Sequence, residues 1–225
     1  MAVSEPRANS SAAGLASLSR RATAARAAIM TLLAVQTVLL LLLALGLYSE
    51  FSLTFFDFTF WATPMARLLT YLLFAVCTIA VTLWIWRAHA NLHAAGLSGL
   101  NYSPGWASLS IFVPVANLAV PFLAMRELYN RSHGEPEELA GASVDDANSW
   151  WTAWVVAALL NSYLLFAFTL GPVTGIHIVT PPTILSGLIL FAAVIEWVAA
   201  FFLWRLIGTI TAAQKSGTGV GDTFA

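Results

Sequence analysis

Charge is what this chain has least of. Asp, Glu, Lys and Arg together make up 9% of its 225 residues, where a soluble domain carries about 25%. Hydrophobic residues make up 59%. A water-soluble fold of this length has too little polar surface to cover so much apolar area. Neither sign is in excess. The formal net charge is −1, which offers no basic surface to a nucleic acid. Cysteine is nearly absent as well. Cys77 stands alone in an apolar run, so an intramolecular disulfide and a cysteine metal cluster are excluded, and it reads as a small core residue. No Gly-rich phosphate loop, Ser/His/Asp set or paired-carboxylate site stands out. The sequence nominates no catalytic residue, no metal site and no cofactor.

What is there is apolar length. Runs lie at 27–48, 64–86, 104–125, 150–170 and 182–206, each near the roughly 20 residues a helix needs to cross a bilayer. In hydrocarbon the backbone must satisfy its own hydrogen bonds, which leaves helices or a closed barrel. The runs are Leu-rich and do not alternate, which excludes the barrel. Residues 1–26 are rich in Ala, Ser and Arg and contain Pro6; they are expected to form a disordered cytoplasmic tail. Residues 27–210 are the expected membrane helical domain, and 211–225 a flexible cytoplasmic tail. Ser19-Arg20-Arg21 resembles the start of a twin-arginine export signal. The apolar run behind it is too long for a signal segment, which makes it an uncleaved first helix.

The run 104–125 decides topology. If it crosses, half of the basic residues fall outside. If it does not, Arg7, Arg20, Arg21, Arg26, Arg87, Arg126, Arg131, Arg205 and Lys215 all face the cytoplasm, and only Arg67 lies near the outer side. The second arrangement follows the positive-inside rule and puts Trp84, Trp86, Trp106, Trp150, Trp151 and Trp204 at the inner interface. The expected fold is therefore all-α: a polytopic membrane helical bundle with four transmembrane helices and a Pro-kinked re-entrant or interfacial helical segment. Both termini are expected in the cytoplasm. Ser103-Pro104 is a helix start, with Ser as N-cap and Pro at the first position. Pro114 and Pro121 disturb the helix ahead of them. The polar loop 131–148, with Glu135, Glu137, Glu138, Asp145 and Asp146, reads as a solvated, flexible connector.

Several unusual residues recur at characteristic offsets. Trp86-Arg87-Ala88-His89-Ala90-Asn91-Leu92 is followed by Ser103-Pro104-Gly105-Trp106, by Phe112-Val113-Pro114-Val115-Ala116-Asn117-Leu118, and by Pro121 and Ala124-Met125-Arg126-Glu127-Leu128. This order resembles the bacterial membrane proteins of the DUF4328 family. One departure is Ser110-Ile111, where the resemblance implies bulkier aromatics. The resemblance implies a membrane-helical layout and no reaction.

The same residues can be read physically. Trp86, Arg87, Asn91, Pro104, Trp106, Pro114, Asn117, Pro121 and Arg126 form a candidate structural or ligand motif. In the structural reading, Asn91 and Asn117 clamp the end of the second helix to the Pro-rich segment, the amide of Asn117 replacing backbone bonds lost at proline. In the other, Arg87, Asn91 and Arg126 bind a ligand or lipid headgroup. His89 and His93 share a helix face, but HxxxH without a third ligand is a weak metal pattern. Glu196 is the acidic residue deep inside a predicted span, with Gln36 and Asn161 expected at similar depth. These three form a candidate intramembrane polar site, either a clasp between helices or an ion-linked site, and Gln36 or Asn161 is the expected partner of Glu196.

The functional expectation is a non-enzymatic scaffold or partner-binding protein of the bacterial inner membrane. The alternative is a small transporter or channel component built around Glu196. Expected partners are the lipid bilayer and a membrane protein or a second copy of the chain, with no nucleic acid.

Overall fold

The computed structural model describes residues 5–48, 53–167, 171–175 and 180–217. Every regular element among them is helical: α1 (Glu5–Tyr48), α2 (Leu53–Ala94), α3 (Pro104–Leu109), α4 (Val120–Ser132), α5 (Asp145–Leu165), α6 (Gly171–Thr174) and α7 (Pro182–Ser216). Short 3-10 turns lie at Ser110–Phe112, Ala116–Leu118 and Glu137–Leu139. The chain divides into two compact units. One comprises Met1–Leu97 and Tyr102–Leu109, the other Ser98–Asn101 and Ser110–Ala225.

In the first unit α1 and α2 pack as an antiparallel pair. Arg21 Nη1 donates to the Leu83 carbonyl at 2.9 Å, and Arg87 Nε donates to the Gly14 carbonyl at 3.3 Å. On α1 the buried side chains Leu18, Ala22, Ala25, Ile29 and Leu32 follow alternating steps of four and three, which keeps them on one face. On α2 Trp84, Ala88 and Leu92 are fully buried. α1 starts at Glu5, with Pro6 in its first turn, where the missing N–H costs nothing. The stretch expected as a disordered tail is thus helical from Glu5, and Gly14, Leu18 and Ala22 are buried. Ala and Arg are good helix formers, and the small residues that looked featureless in sequence are the seam. α2 begins at Leu53 rather than at Pro64 and ends in a Schellman cap. Gly96 has φ 78°, Leu97 N–H donates to the Leu92 carbonyl and Gly96 N–H to that of His93. α3 opens as its sequence predicts: Trp106 N–H donates to Ser103 Oγ at 3.2 Å, with Pro104 in the first position.

In the second unit α5 and α7 run antiparallel. Arg205 Nε pairs with Asp146 Oδ2 at 3.2 Å, and Asn161 meets Glu196 farther along. Small buried residues, Ala153 and Ala157 on α5 and Ala192 and Ala199 on α7, let the two backbones approach. α4 joins them through Met125, Leu128, Leu206, Ile207 and Ile210, all essentially inaccessible. Phe122 stacks on Trp151 at 5.9 Å. α7 continues to Ser216, past the boundary of 210 expected for the membrane domain.

Among the described residues three helices are long and apolar enough to cross a membrane: Ala12–Leu41, Leu68–Ala94 and Thr183–Ser216. The sequence predicts four. The run 150–170 falls on α5, where Asn161 and Ser162 interrupt the apolar stretch, and its last residues, 168–170, lie outside the described residues. The stretch 104–125 is also not one kinked helix. It breaks into α3, two 3-10 turns and the start of α4, because Pro114 and Pro121 each remove a donor.

Candidate functional site

The densest polar arrangement in the second unit is built on α4. Its apolar face, Ala124, Met125 and Leu128, enters the core. Its polar residues fall at 126, 127, 130 and 131, two pairs one helical turn apart. Glu127 is 1% exposed, and its Oε2 accepts from the backbone N–H of Asn101 at 2.8 Å and from Asn101 Nδ2 at 2.9 Å. Arg131 Nη2 donates to the Ser98 carbonyl at 3.0 Å, and its Nη1 to that of Glu135. Asn130 Nδ2 donates to the carbonyls of Ala140 and Ala142, both at 3.0 Å. Arg126 donates to the carbonyls of Ala142 and Gly141, and its guanidinium lies 5.3 Å from the Phe122 ring. Gln214 Nε2 on α7 donates to Ser132 Oγ at 2.9 Å. Burial of polar groups is tolerated where they are paired, and here the partners are mostly backbone carbonyls of two segments without long helices, with Arg131 Nε left buried and unpartnered.

This corrects the expectation of a flexible acidic connector. The segment 135–142 is gripped through its carbonyls, whereas its Glu side chains remain exposed. Composition reports side chains and is silent about carbonyls. Gly99, with φ 67°, lies so close to Glu137 that a Cβ there would overlap its side chain.

The candidate motif is shared between the units. In the first, Arg87 and Asn91 converge on Gly14: a Cβ at Gly14 would meet Arg87 Nη2 and lie 2.9 Å from Asn91 Oδ1. Trp86 is half-exposed beneath the Arg21 guanidinium, 5.3 Å from its ring centre. Pro104 and Trp106 open α3. In the second unit, Pro121 lies in the first turn of α4 and Arg126 grips carbonyls. Asn117 N–H donates to the Val113 carbonyl at 2.7 Å, while Asn117 Oδ1 is buried with no hydrogen-bond partner. Around Pro114 the remaining turns close through backbone bonds, Leu118 to Val115 and Ala119 to Ala116. Large apolar side chains stand exposed here: Phe112, Val113, Val115 and Leu118, with Val115 82% exposed.

Of the polar trio, Asn161 Nδ2 donates to Glu196 Oε1 at 2.6 Å. Gln36 is half-buried on α1, in the first unit. His89 is fully buried on α2, and His93 Nε2 lies 3.1 Å from the Tyr102 carbonyl. Among the described residues no three His, Cys, Asp or Glu side chains group as metal ligands. Sequence reasoning nominated none of Glu127, Asn130 and Arg131 as site residues: two polar pairs spaced i and i+4 could be seen, but not the backbone carbonyls they meet.

Residues 53–212 match the family model described as "Domain of unknown function (DUF4328)". The chain belongs to the DUF4328 family. The DUF4328 match runs from the start of α2 to near the end of α7, so it contains the Asn161–Glu196 pair and the α4 network apart from Gln214, while α1 precedes it. No curated protein and no solved structure matches the chain.

Proposed function

We propose that this DUF4328 protein is a non-enzymatic scaffold of the bacterial inner membrane, which holds a membrane partner or a second copy of itself. The observation that carries the reading is the α4 network. Its polar groups are engaged with backbone carbonyls of their own chain, which makes a rigid platform. Beside it in sequence, Phe112, Val115 and Leu118 project apolar surface from turns that lie outside the three apolar helices. Irregular backbone with exposed apolar side chains suits an interfacial or re-entrant position, with those side chains in lipid and the backbone held by protein.

α5 is not one of the three spanning helices among the described residues, yet it lies antiparallel along α7 with Asn161 on Glu196. Pairing satisfies its polar groups, so the α5–α7 hairpin crosses as a unit and both termini face the cytoplasm. Single cysteines at Ser143 and Ser216, in a Cys77→Ala background, are then protected from impermeant reagents in intact cells, and one at Ser52 is labelled. Labelling of Ser143 or Ser216 from outside would overturn this orientation. A photo-crosslinker at Val115 yields lipid adducts if the turn sits in the bilayer. Reaction only with water there removes the interfacial reading.

The alternative, a transporter or channel component, draws support from the Asn161–Glu196 bond inside the apolar run of α7. Glu196→Gln separates the two readings. It leaves a scaffold intact and abolishes proton- or cation-linked transport.

A further inference from the structure

α5 and α7 leave a groove of about 420 Å³ along their contact in the second unit. Asn148, Ser149 and Thr152 of α5 line one end of it. Val156 of α5, with Ile195 and Val198 of α7, lines the rest. Ile195, Val198 and Phe202 recur at steps of three and four, and the next position on that helix face is Arg205. On α5 the face of Asn148, Ser149 and Thr152 begins at Asp145.

Charge of both signs therefore stands at one mouth of the groove. Arg205 Nε pairs with Asp146 Oδ2 at 3.2 Å, which engages one edge of the guanidinium fork and leaves the Arg205 side chain 48% exposed. Asp145 is exposed in the adjoining position. From this mouth the groove runs to the level of Val156 and Ile195, a distance of about 15 Å at the helical rise of 1.5 Å per residue. That is half of the roughly 30 Å hydrocarbon core of a bilayer, the depth of one leaflet. A groove of that length, charged at one end and apolar along its walls, matches a single phospholipid in outline. Charge selects the headgroup. An anionic headgroup drawn to Arg205 is repelled by Asp145 and Asp146, whereas a zwitterion meets each sign with its opposite.

We propose that the α5–α7 groove holds one zwitterionic aminophospholipid of the ethanolamine type. Its phosphate lies on the outer edge of the Arg205 fork, and its ammonium donates to the Asp145 carboxylate. One acyl chain runs along Val198, Val156 and Ile195. The assignment rests on the membrane reading above and deepens it.

The test is native mass spectrometry of the full chain in detergent, with phosphatidylethanolamine, phosphatidylcholine and phosphatidylglycerol of matched acyl chains. Wild type is expected to retain phosphatidylethanolamine on the order of tenfold better than phosphatidylcholine, whose quaternary ammonium has no N–H to donate to Asp145. Phosphatidylglycerol is expected to be retained less well than phosphatidylethanolamine. Asp145→Asn is expected to lose the preference over phosphatidylcholine. Val198→Trp, which fills the groove, is expected to lower retention of both lipids, and Arg87→Gln, in the first unit, to change neither. Equal retention of phosphatidylethanolamine and either other lipid by wild type overturns the proposal without reference to any variant, which covers a variant that does not fold. Undiminished retention by Val198→Trp overturns the location. Displacement of the lipid by equimolar phosphoethanolamine also overturns it, since the acyl chain would then contribute nothing. A chain that stays soluble without detergent removes the membrane reading itself, whereas a detergent-requiring chain with no lipid preference removes only this site.

Discussion

Asn161 on α5 donates through Nδ2 to Glu196 Oε1 on α7 at 2.6 Å, a polar contact along a helix pair that packs through alanines and is also joined, near the start of α5, by Arg205 and Asp146. Bonds of this kind in membrane helices couple by about 0.6 kcal/mol on average and rarely reach 2. Glu196→Gln keeps an acceptor for Asn161 and should leave detergent thermal stability near wild type. Glu196→Leu should lower it, because the Asn161 amide loses its partner. A double-mutant cycle with Asn161→Ala should return a coupling within that range. Zero coupling would show that the two side chains do not interact in the folded protein.

Glu127 is the residue whose loss should harm the second unit most. Its Oε2 holds both the backbone N–H and the side-chain amide of Asn101. Glu127→Ala leaves those donors near a buried position and should cost roughly 3 kcal/mol, read as a drop in unfolding midpoint. Glu127→Gln retains an acceptor and should cost less. A stability loss below that of a surface substitution would mean that the 98–101 segment is not fastened this way.

Two glycines separate backbone strain from crowding. Gly96 and Gly99 both have positive φ, 78° and 67°. A Cβ at Gly96 meets nothing within 4 Å, while one at Gly99 runs into Glu137. Gly96→Ala should cost about 1–2 kcal/mol from conformation alone. Gly99→Ala should cost more, and adding Glu137→Ala should bring it back to the Gly96→Ala level. Failure of that rescue would place the extra cost elsewhere.

Gly14 makes a prediction about size. Its Cβ position is occupied by the tip of Arg87 and bordered by Asn91 Oδ1. In Gly14→Ala the flexible guanidinium can move, and the gain in helix propensity, about 1 kcal/mol, offsets the lost contact. Gly14→Leu should instead separate the helices and destabilise by roughly 2 kcal/mol. A chain whose first 26 residues were unstructured would show no difference between the two, so limited proteolysis of this region before and after the substitution is the direct check.

What the sequence by itself determined is local in origin. An all-helical chain with helices apolar enough to cross a membrane follows from the length of apolar runs, and the start of α3 from adjacent Ser103 and Pro104. Family membership was visible in spaced residues between Trp86 and Leu128, inside the matched range 53–212. The tertiary structure decided everything that depends on what a helix faces. Residues 5–26 look unstructured because Ala, Ser and Gly carry little hydrophobic signal, yet Gly14, Leu18, Ala22 and Ala25 are buried in the first unit. The run 150–170 reads as a span from its central Val and Leu residues, yet α5 is not one of the three helices among the described residues that are apolar enough to cross. The α4 network was illegible because its partners are carbonyls, which every residue possesses and no composition records. That Asn161 meets Glu196 depended on the antiparallel alignment of α5 and α7, set by packing across thirty-five residues of sequence separation. Local chemistry chooses the secondary structure of this chain and the apolar length of its helices. Only the packed chain chooses which polar group answers which.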